Sequence, residues 1–174
     1  MIIETGRLRI RLVEEQDWQG LQRIWEDFHK SPYSQYDVYT ETQDAVVKER
    51  TKRWAAANRH GMDHMFFVVC LGDIIIGYTA FNKREVGYEI GYCFHSDYHG
   101  KGYAKEAHFG IFRVLRELGI THFTAGTGLA NLPSVALLKS LGFQLVGEEK
   151  VSFYKDEDGN DIVFDGGIFE LVLK

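Results

Sequence analysis

The chain begins with alternating apolar and polar positions and then changes to a helical pattern. Residues 8–12 carry an apolar side chain at every second position, with arginines between them, and this alternation predicts a strand. Apolar residues at intervals of three or four then predict the buried face of a helix: Trp18, Leu21, Ile24, Trp25 and Phe28. Asp17 can cap this helix. We expect it to end near His29 or Lys30, because Pro32 follows.

The next segments predict a loop, a second helix and three short strands. Residues 31–40 are polar and contain three tyrosines, which indicates a connecting loop. A second helix is expected to begin after Thr42 or Asp44 and to end near Ala57. Three β-rich runs separated by short turns then predict an antiparallel meander: residues 65–71, 74–81 and 86–94.

The remainder of the chain predicts helices and strands in succession. Apolar residues at helical spacing predict a helix over 104–118, which Gly119 ends. The later elements are a strand, a short helix and further strands around a turn: residues 122–125, 134–141 and 143–173, with the turn at 156–160. No linker, repeat or low-complexity tract interrupts this order, so we expect one α/β domain over residues 1–174 with a mixed sheet.

Composition and charge narrow the class of protein. Hydrophobic residues make up 45% and charged residues 26%, as in an ordinary folded protein. Apolar runs such as residues 65–71 are far shorter than the roughly 20 residues that cross a bilayer, and the first residues lack the apolar stretch of a secretory signal. We therefore expect a cytoplasmic protein with no membrane partner. The net charge of −5 disfavours nucleic acid as a partner and fits a cationic substrate.

Cysteines and histidines give no support for a disulfide or a metal site. Cys70 and Cys93 lie in apolar runs without C-x-x-C spacing and are interpreted as small buried hydrophobes. Two histidine pairs are spaced by four residues: His60 with His64, and His95 with His99. No third ligand stands at a recognisable spacing from either pair, so we expect no metal.

A strand that leads into a glycine-containing turn is the most informative segment. The strand ends near Phe94, and Gly100 and Gly102 precede the helix that begins at Ala104. Backbone N–H groups at a helix start lack intrahelical partners and the helix dipole favours anions there, which suits a phosphate or pyrophosphate. The spacing matches neither the P-loop nor the Rossmann fingerprint. A plain tight turn, or a phosphate-binding domain of unrelated fold, is the alternative.

Residues 99–104, His-Gly-Lys-Gly-Tyr-Ala, resemble the acyl-CoA-binding motif [QR]-x-x-G-x-[GA] of the GNAT superfamily of N-acetyltransferases, with histidine in place of the commoner Gln or Arg. Other motifs occur in the family's order: T-x-R-L-x-x-R at 5–11, E-I-G-Y at 89–92, G-K-G-Y-A-x-E-A at 100–107, Asn131 with Ser134, and L-G-F at 141–143. Together they cover nearly the whole chain. The most similar branch is the RimJ/RimL-like branch, which contains ribosomal-protein-alanine acetyltransferases.

The resemblance implies a GNAT fold, with a mixed central sheet, a splayed parallel strand pair and flanking helices. It also implies acetyl-CoA as cosubstrate, with its pyrophosphate on the backbone N–H groups of residues 100–105. The thioester would lie along residues 92–94, where a family bulge frees N–H groups to polarise its carbonyl. The implied cofactor-binding residues are Tyr92, Cys93, Phe94, His99, Gly100, Lys101, Gly102, Tyr103, Ala104, Lys105, Asn131 and Ser134. The alternatives are a plain core strand for residues 92–94 and a helix cap for Asn131.

The resemblance also identifies candidates for proton transfer. Many members carry a tyrosine seven residues after the asparagine to protonate the CoA thiolate, but this chain has Leu138 there. Ser134, where the RimL-like branch carries serine, is the candidate proton donor, and an N-cap is its alternative role. Glu89, among apolar neighbours in the sequence, and His95 are the candidate bases for the amine; a solvated strand charge and a strand end are the alternatives.

The predicted function is acetyl transfer to a primary amine by direct attack in a ternary complex, since no cysteine is placed to carry an acyl group. The acceptor would be a small-molecule amine or a protein N-terminus, and the resemblance is compatible with a homodimer. Tyr33, Tyr36 and Tyr39 lie in the region that resembles the substrate-side loop, where they would line the acceptor pocket or pack onto the core. The alternative from another class is a catalytically silent acyl-CoA-binding or sensor domain.

Overall fold

The computed structural model describes all 174 residues and contains eight strands in one sheet. The strands are β1 (Ile2–Glu4), β2 (Arg9–Leu12), β3 (His64–Leu71), β4 (Ile74–Lys83), β5 (Tyr88–Phe94), β6 (His122–Gly128), β7 (Gln144–Lys155) and β8 (Asp161–Val172). The helices are α1 (Trp18–His29), α2 (Asp44–Ala57), α3 (Tyr103–Glu117) and α4 (Leu132–Ser140), with 3₁₀ turns at Glu15–Asp17, Ser34–Tyr36 and Ser96–Tyr98. No helix combines the length and apolarity needed to cross a membrane.

The sheet has the order β1-β2-β3-β4-β5-β6-β8-β7, and only β5 and β6 run parallel. The strands from β2 to β5 form antiparallel neighbours, as the short turns between them predict for β3, β4 and β5. Beyond β6 the sheet continues through β8, which pairs with β7 in a long hairpin. The predicted α/β class with a mixed sheet is confirmed.

Alternation along β3 distributes its side chains to two cores. Met65, Phe67 and Val69 belong to a cluster of 22 buried residues that includes α3 and α4. Val68 and Cys70 belong to a cluster of six buried residues that includes α1 and α2. Helices therefore cover both faces of the sheet, and β5 and β6 lie between the two helical layers.

Several element boundaries differ from the sequence-based expectation. The pattern does not predict β1, because three residues are too short for an alternation to be recognised. The last helix begins at Leu132 rather than at 134, because Asn131 caps it and Pro133 fits its first turn. β6 continues to Gly128 because it pairs with β8 along its whole length.

Candidate active site

β5 and β6 separate soon after they meet. Their parallel ladder contains two residue pairs only, at Tyr88 and Glu89 of β5. Beyond these pairs the strands diverge, and a gap opens between the end of β5 at Phe94 and the end of β6 at Gly128. We call this space the strand gap; it is the splayed parallel pair that the resemblance implies.

Backbone N–H groups of β5 point into the strand gap. On the other side of β5, the His95 N–H donates to the Ile76 carbonyl oxygen of β4 at 2.9 Å. Hydrogen-bond direction alternates along a strand, so the N–H groups of Tyr92 and Phe94 point away from β4 and toward the gap. Two N–H groups directed at one space can polarise a carbonyl oxygen bound there.

The bulge expected within residues 92–94 is absent. β5 pairs with β4 from Tyr88 to Phe94 without a register shift. The irregularity lies instead in β4, where the register shifts opposite Val69 and Cys70. The N–H groups of β5 are freed by the divergence of β6, so no bulge is needed to expose them.

The turn between β5 and α3 is open and rich in N–H groups. Gly100 and Gly102 have φ values of +71° and +79°, a left-handed conformation that glycine adopts without strain. A Cβ atom on Gly100 would have no atom within 4 Å, so the space beside the turn is open there. The first intrahelical bond runs from the Glu106 N–H to the Gly102 oxygen at 3.0 Å, which leaves the N–H groups of residues 103–105 without helical partners. These features fit a bound pyrophosphate.

Two side chains of the predicted cofactor motif stabilise the turn from within the protein. Nε2 of His99 lies 2.7 Å from the Phe94 carbonyl oxygen, and Nζ of Lys101 donates to the Asp97 carbonyl oxygen at 2.8 Å. The imidazole that replaces the commoner Gln or Arg thus joins the turn to the end of β5.

Arg7 holds the same turn from outside, a contact that the sequence reasoning did not identify. Its guanidinium donates to the Lys101 carbonyl oxygen at 2.9 Å and to a Glu106 carboxylate oxygen at 2.7 Å, and lies 4.4 Å from the centre of the Tyr103 ring. Burial raises the pKa of Glu106, but hydrogen bonds from Thr5 and Arg7 outweigh this and lower it overall. The sequence feature that marks this contact is the arginine of the T-x-R-L motif.

Two hydroxyl groups meet across the strand gap. The Tyr92 hydroxyl of β5 lies 2.8 Å from the Ser134 Oγ in the first turn of α4. Burial raises the pKa of Tyr92 to about 12, and the hydrogen bond with Ser134 offsets this in part. Asn131, and not Ser134, is the N-cap of α4. The Asn131 side chain accepts from the Ser134 N–H at 3.3 Å. Leu138 is completely buried.

The two candidate bases occupy different surroundings. Glu89 is 45% exposed and ion-paired with Arg84, so the apolar surroundings expected for it are absent. It precedes Phe94 by five residues, about 16 Å along a strand. His95 is only 15% exposed; its Nδ1 accepts from the Asp97 N–H at 3.3 Å, and its Nε2 lies 3.8 Å from Asp27.

Asp27 connects α1 to the end of β5. Its two carboxylate oxygens accept from the N–H and the hydroxyl of Ser96, each at 2.7 Å. Burial raises the pKa of Asp27, but the Ser96 hydrogen bonds and the positive charges of His95 and His99 lower it overall.

Cys93 lies on the opposite face of β5 from Tyr92. Burial raises the pKa of Cys93 to about 12, and the negative charges of Asp37 and Asp27 act in the same direction. The thiol is therefore protonated near neutral pH and is a poor nucleophile.

The tyrosine-rich loop between α1 and α2 reaches the strand gap. Tyr36 packs so closely on the end of β6 that a Cβ atom on Gly128 would lie 2.9 Å from its ring, and its edge meets Phe164 of β8. Tyr39 stacks on His29 with ring centres 4.6 Å apart. Tyr33 is half-buried at the start of the 3₁₀ turn.

A cavity of about 280 Å³ lies beside this loop. It is lined by Phe28, His29, Ser34, Gln35, Val38, Tyr39 and Tyr154. Nε2 of His29 is buried without a hydrogen-bond partner. Of the three tyrosines expected on the substrate side, Tyr39 lines the cavity directly, and Tyr36 covers the end of β6.

A mixed sheet with a splayed parallel pair, beside a glycine turn at a helix start, is the architecture that the resemblance to N-acetyltransferases implies. The sequence matches the family described as acetyltransferase (GNAT) domain over residues 7–144, and the chain belongs to these N-acetyltransferases. The predicted family is confirmed. An uncharacterized N-acetyltransferase of Bacillus subtilis, YnaD, is 32% identical over 151 residues, which cover 84% of this chain and 85% of that protein.

Solved structures of RimL-like enzymes share the fold. One is the Salmonella typhimurium acetyl transferase that modifies the N-terminal serine of 50S ribosomal subunit protein L7/L12; its TM-score is 0.85 at 19% identity, with 100% of both chains covered. Another is RimL, a ribosomal L7/L12 alpha-N-protein acetyltransferase in complex with coenzyme A, with a TM-score of 0.81 at 16% identity, covering 99% of this chain and 98% of that one. At these identities the likeness shows the fold.

Proposed function

We propose that this N-acetyltransferase takes the acetyl group from acetyl-CoA and passes it directly to a primary amine within a ternary complex. The observation that carries the proposal is the strand gap, because it opens beside the glycine turn that precedes α3. A long ligand with a pyrophosphate at one end and a thioester at the other can then use both features. Acetyl-CoA has this form and supplies the activated acetyl group.

The turn would hold the anionic part of acetyl-CoA. Backbone N–H groups from Gly100 to Lys105 would bind its pyrophosphate, and the positive end of the α3 dipole would add to them. Arg7 donates to the Lys101 carbonyl oxygen and so fixes the conformation of the same turn, while Glu106 balances its charge. Asn131, half-buried at the start of α4, lies on the strand-gap side of the fold, and the family motif assigns it the CoA arm.

The residues of the gap supply the polar groups that acyl transfer needs. The N–H groups of Tyr92 and Phe94 are directed to stabilise negative charge on the thioester oxygen. The Ser134 hydroxyl, hydrogen-bonded to that of Tyr92, is the proton donor for the departing thiolate. Glu89 and His95 stay as predicted bases, with His95 at the end of β5 that borders the gap.

Direct transfer is favoured over an acyl-cysteine route. The Cys93 thiol has a raised pKa, and its side chain lies on the other face of β5 from the Tyr92 side chain. The acceptor amine would therefore attack the thioester itself. The net charge of −5 suits a cationic acceptor, and a protein N-terminus fits alongside a small-molecule amine because RimL-type relatives modify ribosomal protein N-termini.

Calorimetric titration with acetyl-CoA tests the proposal. We expect micromolar binding to the wild-type protein and none to Gly102→Glu, because the added carboxylate repels the pyrophosphate and fills the turn. Gly119→Glu is the matched control for backbone strain: this glycine also has a positive φ, but it lies at the far end of α3, with open space around it. Absence of wild-type binding would refute the proposal. Binding without acetylation of any amine would favour the silent acyl-CoA-binding domain instead.

A further inference from the structure

The loop between α1 and α2 places an acidic residue over the strand gap. Tyr36 rests on Gly128 at the end of β6, and the next residue is Asp37. The loop is fastened to β7 by the Tyr154 hydroxyl, which donates to the Asp37 carbonyl oxygen at 2.7 Å and lies 3.4 Å from that of Ser34. The backbone at Asp37 is thus held between β6 and β7.

The charge of Asp37 acts on the strands beneath the loop. Besides burial, it is a cause of the raised pKa of Cys93 in β5 and of Tyr78 in β4, and it acts on Tyr154 in β7. Arg50 lowers the pKa of Tyr78, but it makes no ion pair with Asp37. The carboxylate therefore lies close enough to the end of β5 for its charge to act on Cys93, the residue before Phe94.

The Asp37 carboxylate lacks a cation. No Lys, Arg or His side chain lies within ion-pair distance of it, in contrast to Asp27 and Glu89. Its one hydrogen bond comes from the Val38 N–H to Oδ1 at 2.7 Å, so Oδ2 is unoccupied. Water reaches the residue, yet the protein surrounds the carboxyl group closely enough that burial raises the pKa of Asp37. An unpaired carboxylate in such a place attracts an ammonium group.

We infer that Asp37 binds the ammonium group of the acceptor and accepts its proton before acetyl transfer. This inference rests on the proposed function. It gives Asp37 the role of base, for which Glu89 and His95 are the candidates predicted from the sequence, and it names the class of acceptor. One proton passes from R–NH₃⁺ to the carboxylate and on to water. The free amine then forms the C–N bond with the acetyl carbon of acetyl-CoA as the C–S bond breaks. The Ser134 hydroxyl delivers one proton to the departing CoA sulfur, and the second proton of the amine passes through water to the Tyr92 and Ser134 pair, which restores both hydroxyls. The net products are the amide, CoA thiol and the one proton released to water.

The cavity lined by Val38, the residue that follows Asp37, indicates which substituent the amine bears. Its lining includes Phe28, Val38, Tyr39 and Tyr154, which are apolar or aromatic, and its volume of about 280 Å³ suits a small hydrophobic group. The acceptor is thus a primary amine that is charged at neutral pH and bears an apolar or aromatic substituent. Both an arylalkylamine and the N-terminus of a polypeptide have this chemistry.

The test compares two amines that differ in charge. At about pH 8 phenethylamine is still protonated, whereas its β,β-difluoro analogue is a much weaker base and is largely uncharged. In Asp37→Asn, which keeps the side-chain shape, we expect kcat/KM for phenethylamine to fall by about 100-fold. The loss for the difluoro analogue is expected to be less than about tenfold, because it needs neither the ion pair nor the first proton transfer. Phenylalanyl-glycyl-glycine as a third acceptor shows whether a polypeptide N-terminus is preferred.

Three further measurements separate this role from a structural one. Glu41→Gln removes a negative charge from the same exposed loop and is expected to leave both rates unchanged. Asp37→Glu keeps the charge and is expected to recover part of the lost rate. The affinity for acetyl-CoA is expected to be the same in all variants, which also shows that they fold.

The outcomes that overturn the inference are distinct from those that overturn the proposed function. Wild-type rates in Asp37→Asn, or an equal loss for both amines, would remove Asp37 from the reaction while leaving acetyl transfer intact. A wild-type protein that binds acetyl-CoA but acetylates none of the three acceptors would also overturn the acceptor class. Failure to bind acetyl-CoA at all would instead overturn the proposed function.

Discussion

The hydroxyl groups of Tyr92 and Ser134 form a unit whose properties neither residue has alone. Burial keeps the tyrosine protonated far above neutral pH, and its hydroxyl lies 2.8 Å from Oγ of the serine. A proton that leaves the serine can therefore be replaced from the tyrosine. The tyrosine that many family members carry at the position of Leu138 is missing here, and a tyrosine from β5 lies near the gap instead.

Removing either hydroxyl is expected to slow the chemical step. Ser134→Ala and Tyr92→Phe should each lower kcat by about 100-fold, with acetyl-CoA affinity nearly unchanged. The double variant should be no slower than the slower single variant, because the two groups act together. Steady-state kinetics and calorimetry provide the measurements. Ser140→Ala, which removes an exposed hydroxyl from the same helix, is the control. Full activity in both single variants would exclude them as proton donors.

Individual site residues could be predicted from the sequence where a short motif marks them. Residues whose role depends on contacts with distant parts of the chain could not. The glycines of the turn were identified because left-handed backbone before a helix has a recognisable spacing. The hydroxyl of Tyr92 was not, because its partner Ser134 is 42 positions away and alternation alone assigns the ring to the core. Asp37 had no signature at all, since its surroundings come from the loop, β4, β5 and β7.

At the scale of the elements, hydrogen bonds to Glu106 join the start of α3 to the turn between β1 and β2. Glu106 in the first turn of α3 accepts from the Thr5 hydroxyl at 2.6 Å, the Arg7 N–H at 2.8 Å and the Arg7 Nε at 2.7 Å. The same arginine donates to the Lys101 carbonyl of the glycine turn. The conformation of the glycine turn is thus coupled to the first hairpin of the sheet.

Loss of the Arg7 hydrogen bonds is expected to weaken acetyl-CoA binding without changing the rate of acetyl transfer. Arg7→Met should raise the Kd for acetyl-CoA by about tenfold, because charged hydrogen bonds that fix the turn are lost. The kcat at saturating acetyl-CoA should stay close to that of the wild type. Arg9→Met is the control, since Arg9 is exposed and paired only with Glu4. Calorimetry combined with saturation kinetics checks the prediction, and an unaltered Kd in Arg7→Met would contradict it.

The element pattern was predictable where a segment carried a strong period. The apolar faces of α1 and α3 and the β-rich runs of β3 and β4 were predicted to within about two residues. The bulge in β5 was predicted from the family resemblance, and the prediction is wrong. The N–H groups of β5 are exposed by the divergence of β6 instead. Strand divergence depends on pairing between β5 and β6, which no single segment encodes.

For the molecule as a whole, one buried histidine links stability to pH. His108 of α3 is fully buried, with Nδ1 at 2.7 Å from the Ala104 carbonyl oxygen and Nε2 at 3.2 Å from the Thr79 hydroxyl. Burial lowers the pKa of His108 from 6.5 to about 4, although the hydrogen bond to Ala104 raises it slightly. The folded protein therefore keeps this side chain neutral where the unfolded chain binds a proton.

Stability is expected to fall as the pH drops from 6.5 toward 4. In this window the unfolded state takes up a proton that the folded state does not, which costs about 3 kcal/mol by pH 4. Above pH 6.5 the contribution is constant. Chemical denaturation at several pH values measures it: His108→Gln should lose stability less steeply than the wild type over this window, whereas exposed His60→Gln should follow the wild type. Parallel curves for His108→Gln and the wild type would show that the buried imidazole is not responsible.

The order of the predicted elements was enough to predict the α/β fold class. It was not enough to predict the order of the strands in the sheet. Alternating helices and strands indicate an α/β protein, but the insertion of β8 between β6 and β7 depends on long-range pairing. The loop across the end of β6 was equally invisible, because its contacts with Gly128 and Tyr154 join residues about 90 to 120 positions apart.

The tyrosine-rich loop between α1 and α2 also divides the site into two separately encoded halves. The groups proposed for acetyl-CoA come from Arg7 and from residues 92–134, whereas Asp37 and most of the adjoining cavity come from residues 28–39. Because the loop is joined to the C-terminal hairpin mainly through Tyr36 and Tyr154, its sequence can vary with little effect on the glycine turn. Acceptor preference can then change independently of cofactor binding. Replacement of this loop is expected to alter which amine is acetylated, while the groups proposed for acetyl-CoA stay the same.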